Sequence, residues 1–247
     1  MNSIKLNKIY VEDNLKTMSR LEDKSIDYIL TSPPYNISAA KSGVGVKNKT
    51  DKYKDFKDNV TQDSYFDSQK TLIEEMLRIT KNHIFYNIQM LSGNKVALHK
   101  LIGYFASYIK EVIIWSKRGQ PAISECVFNS EFEYIIIFSN NDPHKRYFND
   151  AKFNRGTQSN VFKIKNSHSN PFANIHKAIM PLDIPRYFMI NFGKENDIWY
   201  DPYIGTGTTA VAAIEEKKRW LGSEISQEYT DVANKRLVKY QTQTNLF

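Results

Sequence analysis

A glycine-containing stretch near the C-terminus combines residue types that suit a charged cofactor. It reads Ile-Trp-Tyr-Asp-Pro-Tyr-Ile-Gly-Thr-Gly-Thr-Thr-Ala over residues 198–210. The first three residues are typical of a buried strand, and Gly205 and Gly207 allow a sharp turn that approaches a ligand closely. The two threonines that follow can cap or begin a helix, and Asp201 adds a carboxylate. The stretch therefore suits a cofactor with a carboxylate, an ammonium group and a ribose; the alternative is a tight turn with no ligand.

A second stretch, far upstream in the chain, also runs from a strand into a rigid turn. It reads Tyr-Ile-Leu-Thr-Ser-Pro-Pro-Tyr over residues 28–35. Pro33 and Pro34 fix two φ angles and remove two N–H donors, so nearby carbonyl groups are free to accept other hydrogen bonds. Such a turn keeps its shape without a ligand, as catalysis by positioning requires. The alternative is a proline-rich turn that only ends a strand.

Together the two stretches resemble the amino-methyltransferases of DNA, which methylate exocyclic amines with S-adenosylmethionine. Residues 201–209 resemble the cofactor motif of that family, and residues 31–35 resemble its catalytic motif. Because the catalytic motif comes first, the order resembles the permuted β group, and the resemblance spans nearly the whole chain. The catalytic residues that it implies are Ser32, Pro33, Pro34 and Tyr35. The cofactor-binding residues that it implies are Asp13, Thr31, Asp201, Pro202, Gly205, Thr206, Gly207, Thr208, Thr209 and Glu224.

Two of these acidic residues lie at the ends of predicted strands. Asp13 follows the strand Ile4–Val11 and resembles the family's acidic residue that meets the adenine edge of the cofactor. It fits equally well as the cap of a helix over Leu15–Leu21. Glu224 ends a predicted strand about 20 residues after the glycine turn, where nucleotide-binding folds place the carboxylate that bonds the ribose hydroxyl groups. The alternative for Glu224 is a surface glutamate.

Composition narrows the class of protein. A chain of 247 residues is long enough for one large α/β domain with a substantial core. Its formal charge of +7 favours a polyanionic partner such as DNA. The single cysteine, Cys126, excludes a disulfide framework and a Cys-rich zinc site, and we expect a packed, inert thiol. We find neither a signal peptide nor an apolar run of about 20 residues, so we expect a cytoplasmic protein with no membrane partner.

The remaining elements alternate between strands and helices. The predicted strands are Ser25–Leu30, Asn82–Ile88, Glu111–Trp115, Glu133–Phe138 and Arg219–Glu224. The predicted helices are Thr61–Thr80, Asn94–Ser107, Arg186–Phe192, Ala210–Lys217 and Gln227–Tyr240. This order indicates a mostly parallel sheet with helices on both faces, which is the Rossmann-like methyltransferase fold that the resemblance implies. Such sheets bind ligands beyond the carboxyl ends of their strands, where both motifs lie. We expect a single catalytic domain over residues 1–247.

Three further stretches carry polar residues outside the predicted sheet. Residues 36–60 are rich in lysine and are predicted to form a loop beside the catalytic turn, which holds phosphates or closes over the substrate. The alternative is a solvated loop. Residues 139–175 mix basic, amide and aromatic side chains without the periodicity of a core element. Basic residues contact phosphates and amides read base edges, so we expect a target-recognition insertion there, with an irregular surface insertion as the alternative. The stretch 176–185 resembles an element beside the cofactor, and in it His176 fits a turn or cap better than a general base.

The resemblance also implies a reaction. The Ser32 side chain and the Pro33 carbonyl would bond the amino hydrogens of the target base, and Tyr35 would stack on it. Base–aromatic stacking contributes about 1–3 kcal/mol in general. The base would be flipped out of the duplex, because it cannot be reached inside it. No metal is required, since the sulfonium is already activated.

The target base is the open choice. Serine at position 32 resembles the cytosine-N4 enzymes, whereas adenine-N6 enzymes more often carry aspartate there, so we expect cytosine and keep adenine as the alternative. A second hypothesis for the function is a non-catalytic DNA-binding protein with this fold. Methylation of RNA or of a protein glutamine is a third, which the motif order disfavours. By resemblance, we expect a monomer or homodimer in a restriction–modification system, with a companion endonuclease that acts on the same site.

Overall fold

An eight-stranded sheet runs through the part of the chain that the computed structural model describes, residues 4–37, 59–117, 125–164 and 180–244. Its strands are β1 (Lys8–Val11), β2 (Ile26–Thr31), β3 (Thr80–Ile88), β4 (Ile109–Ser116), β5 (Phe132–Ser139), β6 (Val161–Phe162), β7 (Ile198–Asp201) and β8 (Arg219–Glu224). The helices are α1 (Asn14–Met18), α2 (Gln62–Ile79), α3 (Lys95–Tyr104), α4 (Asp183–Asn191), α5 (Thr208–Glu215) and α6 (Gln227–Thr244), and a short 3-10 helix covers Ala106–Tyr108. None of the helices in these ranges is long and apolar enough to cross a bilayer.

The strand directions place all the predicted site residues at one edge of the sheet. The strand order is β1-β8-β7-β2-β3-β5-β4-β6, and only the two pairings of β5 are antiparallel. The carboxyl ends of the other seven strands therefore share an edge with the amino end of β5. The predicted mostly parallel Rossmann-like fold is confirmed, and both motifs follow strands at this edge.

Helices cover both faces of the sheet, as predicted. On one face, residues of α1, α2 and α3 such as Met76 and Leu98 pack against β2, β3 and β5. On the other face, α4, α5 and α6 pack over an aromatic layer in which Phe85 stacks on Phe188, with the ring centroids 4.2 Å apart. The central strands are therefore buried on both sides, which explains their nearly continuous apolar composition.

Capping residues set the beginnings of two helices. Asp13 Oδ1 accepts a hydrogen bond from the Leu15 amide at 2.9 Å, so it caps α1 as one of its two predicted roles requires. The Thr61 hydroxyl caps α2 by accepting from the Ser64 amide at 3.2 Å. Helix α4 begins three residues earlier than predicted, at Asp183, because a proline is tolerated in the first turn of a helix.

The stretch predicted as a recognition insertion is tied to the sheet where it is described, up to residue 164. Strand β6 pairs with β4, and Phe162 is buried in the core. The Asp150 carboxylate accepts hydrogen bonds from Tyr28 Oη at 2.6 Å and from His83 Nε2 at 2.9 Å. A strand of two residues is too short to show an alternating pattern, so the sequence gives no sign of it. Residues 165–175 lie outside the described residues, and the role in target recognition stays a prediction.

Cys126 is exposed, so the prediction of a packed thiol was wrong. It lies in a turn with a φ of 59° ahead of β5, and turn residues usually face solvent. Most of the predicted lysine-rich loop, residues 38–58, and the stretch that contains His176, residues 165–179, lie outside the described residues.

Candidate active site

The two sequence motifs meet at the carboxyl edge of the sheet. Strands β2 and β7 are parallel neighbours, and each is followed directly by one of the motifs. Thr31 Oγ1 donates a hydrogen bond to Asp201 Oδ1 at 2.9 Å, and both side chains are buried. Ser32 therefore directly follows Thr31, whose side chain contacts the glycine turn. The two turns therefore lie together at one edge of the sheet.

Asp201 is the centre of the glycine turn. Its Oδ1 also accepts from the Tyr203 amide at 3.0 Å, and its Oδ2 accepts from Thr209 Oγ1 at 2.6 Å. With Thr31, these contacts join the end of β2, the turn after β7 and the first turn of α5. Burial raises the pKa of Asp201 to about 6, although the hydrogen bonds from Thr209, Tyr203 and Thr31 act in the opposite direction. The carboxylate thus shapes the turn from inside.

The raised pKa of Asp201 predicts a pH dependence of stability. Because the folded state binds this proton more tightly than the unfolded state, Asp201 stabilises the fold at low pH, and the contribution is lost as the pH rises through about 6. Asp201→Asn cannot titrate, and its amide can donate to Thr209 while its oxygen accepts from the other two partners. We compare the free energies of unfolding of the wild type and the variant. The advantage of the wild type should fall by up to about 3 kcal/mol between about pH 4 and about pH 7. Urea unfolding across this range measures it, and a difference independent of pH would contradict the prediction.

Two glycines give the turn its shape. Gly205 has a φ of 50° and Gly207 a φ of 83°, in the left-handed region that other residues rarely adopt. The Gly207 amide donates to the Ile204 carbonyl at 2.8 Å, and Gly207 is the N-cap of α5. Helix α5 therefore begins at Thr208 with its N-terminal N–H groups beside the turn, where an anionic group binds favourably.

Other predicted cofactor-binding residues are held by two side chains that were not predicted from the sequence, Arg236 and Asn14. Arg236 of α6 donates to the Thr206 carbonyl at 3.3 Å and to Thr208 Oγ1 at 3.1 Å. Asn14 Nδ2 donates to the Pro202 carbonyl at 3.4 Å. These contacts fix the turn from α6 on one side and from α1 on the other.

Two acidic residues flank the turn, as predicted. Glu224, at the end of β8, accepts from the Gly205 amide at 3.0 Å and from the Ser226 amide at 2.9 Å. Burial raises its pKa, against the effect of these backbone hydrogen bonds. Each carboxylate oxygen has a further lone pair, so Glu224 can also accept from hydroxyl groups. Asp13 follows β1, the neighbour of β8, and its capping role leaves oxygen lone pairs for a second partner.

The glycine at the middle of β8 lies directly under the turn. A Cβ on Gly222 would lie 2.3 Å from Ile204 Cδ1 and 2.9 Å from Ile204 Cβ. The Ile204 amide is itself bonded to the Ser223 carbonyl at 3.1 Å, so the residue cannot move without moving the turn. This close approach explains why glycine occupies the position.

Gly222→Ala should therefore destabilise the protein and disturb the cofactor turn. We expect a loss of about 1–3 kcal/mol in the free energy of unfolding, as for other overpacked sites. Gly103→Ala in α3 is the matched control, because a Cβ there meets nothing within 4 Å and alanine favours a helix. Urea unfolding of both variants measures the difference. Equal stabilities would show that Ile204 yields without cost.

The catalytic turn is anchored from the core. Tyr65 of α2 donates its hydroxyl hydrogen to the Pro34 carbonyl at 2.7 Å. Asn36, buried with a φ of 57°, donates to the carbonyls of Val60 at 2.9 Å and Gly93 at 2.8 Å. The turn therefore holds its shape through contacts within the chain, as its two prolines predict.

A buried polar cluster adjoins the catalytic turn, and most of its members were not predicted from the sequence. Tyr35 Oη lies 2.8 Å from Ser32 Oγ and donates to Glu133 Oε2 at 2.8 Å. Asn87 Nδ2 lies 2.7 Å from both Tyr35 Oη and Glu133 Oε2, and Lys117 Nζ donates to Glu133 Oε1 at 2.9 Å. We call these five residues the polar cluster. Its members follow or end β2, β3 and β4 and begin β5, so no local motif unites them.

Burial makes the polar cluster unusual. Glu133 and Lys117 are each only 7% exposed, and Asn87 is 3% exposed. Charged residues are rarely buried unless they are paired. The available signal in the sequence was a lysine directly after one apolar strand and a glutamate near the start of the next. Tyr35 is 9% exposed, and its predicted stacking on a base stays a prediction.

The chain matches a protein-family model described as DNA methylase over residues 26–235. It belongs to the DNA methylase family. Among curated DNA methylases, it is 27% identical over 275 residues to Type II methyltransferase M.BglII of Bacillus subtilis, with 98% of this chain and 72% of the relative covered. It is 25% identical to Orphan methyltransferase M.BamHII of Bacillus amyloliquefaciens, with 88% of this chain and 91% of the relative covered.

Solved DNA methyltransferases share the fold. The PvuII DNA methyltransferase, titled cytosine-N4-specific, superposes with a TM-score of 0.73 at 17% identity over 94% of this chain and 86% of that one. M1.HpyAVI, solved as a complex with SAM, superposes with a TM-score of 0.61 at 18% identity over 93% of this chain and 98% of that one. S-adenosylmethionine is the cofactor of the DNA methylase family. The turn at residues 201–209 fits it, since a helix N-terminus suits its carboxylate and the flanking Asp13 and Glu224 suit its hydroxyl and amino groups.

Proposed function

We propose that the chain transfers a methyl group from S-adenosylmethionine to the N4 amine of cytosine in duplex DNA, after the base is flipped out. The observation that carries the proposal is the hydrogen bond between Thr31 and Asp201, which holds the catalytic turn beside the cofactor turn. A methyl group bound at one turn would thus lie close to an amine bound at the other. Methylation of adenine N6 is the alternative activity.

The chemistry requires positioning more than activation of the methyl group. An exocyclic amine is a weak nucleophile, because its lone pair is delocalised into the ring. The bound cofactor supplies a methyl group on a sulfonium, which is already a good leaving group. Ser32 and the Pro33 carbonyl would accept the two amino hydrogens and so turn the nitrogen towards the methyl group. Tyr35, held by Glu133 and Asn87, would stack on the flipped base.

Ser32 supports cytosine as the target. The corresponding position in adenine-N6 enzymes more often carries aspartate, so the resemblance favours the cytosine group. DNA amplified in vitro carries no methylation and serves as the substrate. Incubation with methyl-labelled S-adenosylmethionine, followed by separation of the nucleosides, shows which base receives the label. We expect label in N4-methylcytosine. Label in methyladenine alone would overturn the cytosine assignment and leave the DNA methylase assignment standing.

Charge and family context support the remaining parts of the proposal. The formal charge of +7 favours association with the phosphate backbone. In the stretch predicted to recognise the target, Arg155 is exposed in a turn beside Gly156 and is available for a phosphate contact. M.BglII is named a Type II methyltransferase and M.BamHII an orphan methyltransferase; the first name supports a place for this chain in a restriction–modification system with a companion endonuclease. A nuclease gene beside its own gene would support that placement.

A further inference from the structure

Glu133 lies at the buried end of the polar cluster, and the role inferred for it rests on the proposed function. We propose that Glu133 is a positioning residue: with Lys117 it sets the direction of a hydrogen-bond chain, so that Ser32 Oγ can only accept a hydrogen bond from the target amine. The chain runs from Glu133 through Tyr35 to Ser32. Neither Glu133 nor Lys117 belongs to a sequence motif of the catalytic turn.

The direction begins at the buried ion pair. Lys117 donates to Glu133 Oε1 at 2.9 Å, and an ammonium group has no lone pair with which to accept. The other oxygen, Oε2, accepts hydrogen bonds from Asn87 Nδ2 at 2.7 Å and from the Tyr35 hydroxyl at 2.8 Å. A carboxylate paired in this way is an acceptor only. The single phenolic hydrogen of Tyr35 is therefore committed to Glu133.

The direction then passes to Ser32. Its Oγ lies 2.8 Å from Tyr35 Oη, so one of the two hydroxyl groups must donate to the other. Tyr35 has no second hydrogen, and Ser32 is consequently the donor. The only hydroxyl hydrogen of Ser32 is used inside the polar cluster. Towards a ligand, Ser32 Oγ presents lone pairs alone.

Asn87 adds a second acceptor to the polar cluster. Its amide nitrogen lies 2.7 Å from Glu133 Oε2 and 3.3 Å from Ser32 Oγ, and the bond to a carboxylate fixes which end of the amide is the nitrogen. The oxygen of the same amide is buried and has no hydrogen-bond partner within the described ranges. A buried acceptor without a partner is unfavourable, so this oxygen leaves the polar cluster short of one donor.

These features match an amine better than a hydroxyl or a carboxylate. An exocyclic amino group brings two hydrogens, and the reaction needs its lone pair left free for the methyl group. A serine hydrogen aimed at the nitrogen would instead occupy that lone pair. Because the polar cluster is buried, the hydrogen bonds are strong and reversal of the chain is costly.

Glu133→Gln tests the direction of the chain. Lys117 will hold the oxygen of the new amide, so its nitrogen faces Tyr35 and donates to the phenol oxygen. The phenol then loses its carboxylate acceptor and can donate to Ser32, which releases the Ser32 hydroxyl hydrogen towards the target amine. We expect the single-turnover rate of methyl transfer to amplified genomic DNA to fall on the order of 100-fold, as for loss of one oriented hydrogen bond at a reacting group. Calorimetric affinity for S-adenosylmethionine and retention of DNA should be unchanged.

Tyr35→Phe provides a second route and a double-mutant cycle. It keeps the ring but cuts the chain between Glu133 and Ser32, so Glu133→Gln should cost nothing more in the Tyr35→Phe background. A residue that only stabilises the fold would slow both backgrounds alike. Glu215→Gln is the matched control, since it removes a carboxylate paired with Arg186 at 2.6 Å outside the polar cluster, and its rate should equal that of the wild type.

The outcomes separate this inference from the proposed function. A full rate in Glu133→Gln, or additive losses in the cycle, would overturn the role of Glu133 and leave the methyltransferase assignment standing. If Glu133→Gln does not fold, a full rate in Tyr35→Phe alone would have the same meaning. Absence of any transfer by the wild type would overturn the proposed function and this inference with it.

Discussion

Asp201→Ala is expected to raise the dissociation constant for S-adenosylmethionine by roughly 100-fold. The substitution leaves the buried hydroxyls of Thr31 and Thr209 and the amide of Tyr203 without their acceptor. Each buried group left unsatisfied costs about 1–3 kcal/mol, and about 1.4 kcal/mol corresponds to a tenfold change in affinity. Much of this cost will appear as disorder in the turn that binds the cofactor.

Calorimetric titration with S-adenosylmethionine measures the effect. Asp201→Asn is the matched control, because an amide of the same shape can keep all three contacts. We expect its affinity to remain near that of the wild type at neutral pH. An unchanged affinity in Asp201→Ala would mean that the turn keeps its shape without the carboxylate.

Tyr35→Ala should have the opposite profile, with cofactor affinity retained and turnover lowered by roughly 100-fold or more. It removes a stacking surface worth about 1–3 kcal/mol and also the phenol that directs Ser32. Tyr35 contacts Glu133 and Asn87, whereas Asp201 contacts Thr31, Tyr203 and Thr209. The loss should therefore appear in the rate of methyl transfer.

Steady-state kinetics and calorimetry on the same preparation separate the two profiles. Tyr104→Ala removes a half-exposed ring of α3 and serves as a control for loss of an aromatic side chain away from the site. Equal losses of cofactor affinity in Tyr35→Ala and Asp201→Ala would contradict the division of roles between the two turns.

The local features of the site could be predicted from the sequence because each is written in neighbouring residues. Aromatic and β-branched residues followed by two glycines predicted the unit of β7, turn and α5, and the prolines predicted the rigid turn after β2. The capping role predicted for Asp13 is confirmed by its hydrogen bond from Leu15, and its role towards the cofactor stays a prediction. Parallel strands with motifs at their ends were enough to place the two turns together.

Features that depend on distant contacts could not be predicted in this way. Glu133, Lys117 and Asn87 meet only after three strands have paired, and none has a neighbour in sequence that signals its partner. Strand β6 is defined by its pairing with β4 and by the burial of Phe162. The exposure of Cys126 follows from a turn conformation that composition does not encode.

The reversed direction of β5 has a consequence for how this scaffold tolerates change. The connection from β4 to β5 leaves and returns at the active edge, and the pair between Lys117 and Glu133 joins its two feet. Residues added between Lys117 and Glu133 would lengthen this connection while the ion pair still holds its two ends together. Such an insertion would therefore leave the hydrogen bonds of the polar cluster in place.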